Sequence, residues 1–89
     1  MRVLIVLEET EAGFAVQVPD LAIVTCGESG QAAKDAAREA IRVNLEAYRE
    51  AGQEVPGRRS MLSHMENPDF QDLLFAYVEV SWSPGQIAA

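Results

Sequence analysis

The chain has 89 residues, 48% of them apolar, and a net charge of −7. That is enough for one folded domain with one small core. The acidic balance argues against nucleic-acid binding, which needs Lys and Arg to neutralise phosphates. It suits an encounter with a basic protein, or plain solubility. The single cysteine, Cys26, excludes an internal disulfide. A reducing, cytoplasmic setting is therefore expected. The apolar start is short and has no cleavage site, and no stretch approaches the roughly 20 apolar residues that span a bilayer.

Arg2–Leu7 is a short, β-branched, continuous apolar run, which predicts a strand buried on both faces. Glu8–Gly13 is polar and ends in glycine, as a hairpin loop does. In Phe14–Val18, Phe14, Val16 and Val18 alternate with Ala15 and Gln17, a half-buried strand antiparallel to the first. Pro19 ends it by removing a ladder donor, and Asp20 is expected to fold back onto the backbone. Leu21–Cys26 predicts a third strand, and Gly27 leads into a helix.

The helix is the strongest local signal. Ser29 is a good N-cap, alanine recurs, Gly52 is the expected left-handed stop, and Pro56 blocks continuation. Ala33, Ala36, Ala37, Ala40, Ile41, Val43, Ala47 and Tyr48 share a broad apolar side; Asp35, Arg38, Glu39, Arg42, Glu46 and Arg49 share the other. So wide a side, rich in small residues, suits a helix lying flat on a sheet. Asn44 falls inside the apolar arc and needs a partner: a strand end, a loop, or another chain.

Residues 53–72 read as a long loop with one helical turn at Met61–Met65. Leu73–Val80 predicts the last strand, with Leu74, Ala76, Val78 and Val80 on the core face and Phe75, Tyr77 and Glu79 on the other. The order is thus β-β-β-α-β, an α+β domain over residues 1–80 with a tail at 81–89. One helix covers only one sheet face. Phe75 and Tyr77 are then left exposed, which predicts a homodimer or higher oligomer through that face or a sheet edge; Trp82 could join that surface. Leu74→Asp is expected to unfold the domain.

Little in the chain could carry chemistry. His64, beside Ser63, reads as a surface histidine; Glu8, Glu9 and Glu11 as a charged hairpin tip; Cys26 as a half-buried strand residue. One His and one Cys cannot build a structural zinc site, and no phosphate or dinucleotide loop is present. No catalytic residue, metal or cofactor is expected. Two alternatives stay open: a regulatory domain with a small-molecule pocket between helix and long loop, and a degenerate metal-dependent nuclease using Glu8, Asp20 and Glu79.

Gly13-Phe14-Ala15-Val16-Gln17-Val18-Pro19-Asp20-Leu21, then Gly27-Glu28-Ser29, then Ala36-Ala37-Arg38-Glu39-Ala40-Ile41 resembles the HicB-like antitoxin family, and Gly52 with Val55-Pro56 is similar to that family's helix exit. The likeness covers residues 1–57 well and the last strand loosely. It implies a partial ribonuclease-H-like β-β-β-α-β fold. Val18, Pro19, Asp20, Leu21, Gly27, Ser29, Glu39, Ala40 and Ile41 are its motif positions, mostly structural. It also implies an antitoxin that masks a small basic, mRNA-cleaving toxin of the HicA type, or a solitary relative without one. Ala22-Ile23-Val24 stands where the family usually has Pro-Gly-Cys, in a segment one residue shorter. That departure bears on the start of the third strand. The chain ends before the DNA-binding domain many members carry, so direct DNA binding is not expected. The ribonuclease-H-like shape brings no activity without a carboxylate cluster.

Overall fold

The computed structural model describes residues 1–57 and 61–81. Trp82, the rest of the tail and the Arg58-Arg59-Ser60 cluster lie outside the described residues. Four strands form one antiparallel sheet: β1 (Arg2–Thr10), β2 (Gly13–Val18), β3 (Ile23–Gly27) and β4 (Leu74–Glu79), in the spatial order β3-β2-β1-β4. Helix α1 (Gly30–Glu50) packs on one face, mainly over β3 and β2 and only lightly over β4. A short helix, α2 (Met61–Met65), and a 3-10 turn at Pro68–Phe70 precede β4.

The α+β class and element order agree with the sequence reading; several boundaries differ. β1 runs on to Thr10, and its hairpin closes tightly, with Thr10 paired to Gly13. Glu8, Glu9 and Thr10 are polar and exposed, yet their backbone keeps the ladder. The third strand starts later than expected. Pro19–Leu21 forms a 3-10 turn, Ala22 takes a left-handed conformation (φ 55°), and β3 begins at Ile23. Pro19 suits the first position of such a turn because it needs no donor there.

The α1 caps formed as expected. The Ser29 hydroxyl oxygen accepts from the Ala32 N–H at 3.1 Å. At the other end Gly52 N–H donates to Arg49 and Gln53 N–H to Tyr48, the double bond of a Schellman stop. The buried stripe is narrower than the predicted arc: Ala33, Ala37, Ile41 and Leu45, each one turn apart. Val43, 55% exposed, and Ala47 lie outside it, whereas Leu45 belongs to it. The stripe meets Val3, Ile5 and Leu7 of β1, Val16 and Val18 of β2, and Val78 and Val80. Helix and sheet approach closely at Gly27, where a Cβ would collide with the Ala32–Ala33 backbone.

The far face of the sheet is not bare. Leu4 and Val6 are as buried as the helix-side residues of β1. Phe70 is buried and stands edge-on to Phe75, ring centroids 6.4 Å apart at 79°; Phe75 pairs with Val6. Phe75 is therefore half-buried within the chain, against the expectation that it lies open. Phe70, in the turn before β4, supplies part of this second layer. Leu74 corrects the reading in the other direction. It shares the helix-side face of β4, as predicted, but is 60% exposed, because α1 barely reaches that end of β4.

Candidate partner-binding surfaces

The motif run Val18-Pro19-Asp20-Leu21 sits where β2 turns into β3. Val18 and Leu21 are buried in the core, and Pro19 opens the 3-10 turn. Asp20 does not simply fold onto its own backbone. Its carboxylate Oδ1 lies 2.8 Å from Nε2 of His64, with side-chain exposures of 3% and 7%. His64 is thus a buried strut and not the surface residue expected. It is also within ring contact of Phe70, centroids 6.2 Å apart. The pair ties α2 and the covering segment to the β2–β3 turn.

Of the remaining motif positions, Gly27, Ser29 and Ile41 are framework, while Glu39 and Ala40 line the open side of α1. Gly27 permits the close approach of β3 to α1, Ser29 caps the helix, and Ile41 is fully buried in the core. Glu39 is exposed and holds Arg42 through two hydrogen bonds, at 2.6 and 3.2 Å. The bonds and charge of Arg42 hold the Glu39 carboxyl below its ordinary value of 4.5. Asp35–Arg38 and Glu46–Arg49 form the same kind of pair, one turn before and two turns after it.

Residues named for the nuclease alternative do not converge. Glu8 stands toward the hairpin end of β1 and Asp20 is engaged with His64. Glu79 ends β4, paired with Arg2 in the ladder and 3.7 Å from the Met1 ammonium. Among the described residues no three His, Cys, Asp or Glu side chains are grouped to hold a metal ion. Cys26 is exposed, not half-buried. Tyr77 is 43% exposed with the Arg2 guanidinium 4.6 Å above its ring.

Two surfaces stand out. The first is acidic: Glu8, Glu9 and Glu11 on the hairpin and Glu28 after β3 are all exposed. Glu28 borders the same shallow depression as Thr10 and Ala12, so the carboxylates share one end of the sheet. The second is an open groove between β3 and α1, lined by Thr25, Ala36, Glu39, Ala40, Val43, Asn44 and Ala47. Asn44 Oδ1 is buried there without a hydrogen-bond partner among the described residues. Periodicity placed Asn44 correctly but could not show its surroundings. The β3/α1 groove escaped the sequence reading because it depends on which strand lies at the edge.

No curated protein matches the chain. Solved structures do. The N-terminal domain of the Burkholderia pseudomallei antitoxin HicB is 26% identical, with a TM-score of 0.76 over 92% of this chain and 100% of that one. The longer Burkholderia pseudomallei HicB structure is also 26% identical, with a TM-score of 0.80 over 94% of this chain and 66% of that one. A chain from a structure of the HicA3 and HicB3 toxin-antitoxin complex shares the fold at 22% identity, with a TM-score of 0.76 over 91% of this chain and 99% of that one. No described helix is long and apolar enough to cross a membrane. The family described as HicB_like antitoxin of bacterial toxin-antitoxin system matches residues 3–87, and this chain, with that family's sheet, helix and motif positions, belongs to it.

Proposed function

We propose that this protein is a non-catalytic antitoxin that binds and masks a small, basic, mRNA-cleaving toxin of the HicA type in the cytoplasm. The observation that carries this reading, beside family membership, is the exposed acidic end of the sheet, whose carboxylates have no cationic partner among the described residues. The arginines of α1 are held by carboxylates of their own helix, whereas Glu8, Glu9, Glu11 and Glu28 stand exposed on one rim. A basic protein is steered toward such a rim, and complementary charge raises its association rate. The same charge supports a domain that does not itself bind nucleic acid. The Asp20–His64 strut and the buried motif residues have framework roles, and the binding surface lies outside the motif.

The test is direct. The protein is mixed with a purified toxin of the HicA type, and cleavage of an mRNA by that toxin is followed with and without this chain. Stoichiometric suppression of cleavage is expected. Failure to bind, or cleavage unchanged at excess antitoxin, would overturn the reading.

A further inference from the structure

We infer that residues 61–72 form a strap that opens as a unit about Asp72 while the helix-covered core stays folded. The strap is tied together from within. Glu66 N–H donates to the Leu62 carbonyl, Asn67 N–H to that of His64 and Phe70 N–H to that of Asn67, so α2 and the turn at Pro68–Phe70 are one hydrogen-bonded piece. The Asn67 side chain adds a bond from the Asp69 N–H at 2.9 Å. The rest of the molecule holds this piece lightly. α2 packs chiefly on that turn and no more than sparsely on any strand. Of residues 61–72 only His64 and Phe70 are buried, while Leu62 is 66% and Met65 51% exposed.

Both anchors are seated away from the main core. His64 reaches the Asp20 carboxylate in the β2–β3 turn at 2.8 Å, and Phe70 stands edge-on to Phe75. The continuous core under α1 includes neither anchor, nor Leu4 and Val6. Releasing the strap therefore breaks one buried polar pair and one aromatic contact and leaves that core whole. Segments held by so little buried surface open locally, at a lower free energy than global unfolding. Asp72 marks the pivot. It takes a left-handed conformation (φ 66°) just before β4, a state that costs a non-glycine residue free energy and that opening can relax. Beyond it β4 stays paired with β1 from Leu74 onward. The open state presents what the closed one hides: the carboxylate of Asp20 and the rings of Phe70 and Phe75. The strap thus decides whether these groups are available to a second molecule. This inference does not depend on the antitoxin reading.

His64 is the only histidine. Its reaction with diethylpyrocarbonate, read by mass spectrometry of the peptide that carries it, therefore times the opening in the full chain at one fixed pH. Amide exchange in α1 and in the β1–β2 ladder reports the core. In the parent, low urea should barely change the His64 rate, because opening exposes little surface, while exchange of the core amides climbs steeply. Phe70→Leu loosens an anchor and should speed His64 modification about tenfold. Ile41→Val weakens a contact that closed and open states share. It should speed the core amides about fivefold and leave the His64 rate within about twofold. If His64 reacts with the same urea dependence as the core amides, or if Ile41→Val accelerates both alike, the strap opens only when the domain unfolds and the inference falls. An unchanged His64 rate in Phe70→Leu would overturn it as well, since that ring is one of the two anchors.

Discussion

Asp20 and His64 are 44 positions apart in sequence and 2.8 Å apart in space. Each looks ordinary alone: an aspartate after a proline in a turn, and a histidine in a polar loop. Together they fasten the covering segment to the sheet. Removing one member of a buried polar pair leaves the other poorly solvated. His64→Ala should therefore cost about 2–4 kcal/mol of stability, measured by chemical denaturation. Asp20→Asn keeps an acceptor oxygen and should cost less. If His64→Ala melts like the parent, the strut carries no stability. Glu39 offers a second check. Its folded value is depressed by Arg42, so the pair's stabilisation is present above the ordinary carboxylate range and is lost as pH falls through the depressed value. In an NMR titration Glu39 should have its midpoint below that of an unpaired glutamate, and Arg42→Gln should bring it back. An unchanged midpoint would mean that the exposed pair does not persist in solution.

At the scale of elements, α1 was legible because its signals are local. The cap, the alanine content and the Schellman stop depend on neighbours within one or two turns, and they formed as read. Ser29→Ala should cost about 1 kcal/mol. Gly27→Ala should cost more, about 2–4 kcal/mol, because backbone must move to admit the Cβ. Comparing the two melting temperatures tests the ranking; equal losses would mean that β3 relaxes away from the helix freely. β4 shows where alternation stops being informative. Leu74 and Val78 share a face, yet Leu74 is 60% exposed and Val78 is 1% exposed. Period two assigns a side chain to a face but says nothing about how far the covering helix extends. Leu74→Asp should therefore change stability by less than about 1 kcal/mol, whereas Val78→Asp should unfold the domain. Unfolding by Leu74→Asp would mean that this end of β4 is covered in solution.

Over the whole molecule, the exposed carboxylates of the hairpin and Glu28 gather at one end of the sheet. On the antitoxin reading, replacing Glu8, Glu9 and Glu11 by glutamine should slow association with the basic partner by about tenfold at low salt, and the difference should shrink as salt screens the rim. Stopped-flow measurements at two ionic strengths would show it. A loss that appears only in the dissociation rate would place the contact elsewhere.

The sequence by itself determined the secondary elements, their order and the family. These rest on short-range rules: strand alternation, helix periodicity, caps and the glycines that backbone geometry requires. Tertiary structure alone decided which surfaces are free. Burial of Leu4 and Val6 depends on a strand and a turn that lie 60 or more residues further along the chain, and exposure of Val24 depends on β3 lying at the edge. Such facts arise from non-local packing, which no window of neighbouring residues encodes. The fold was therefore readable from the chain, while its candidate binding faces had to be found in three dimensions.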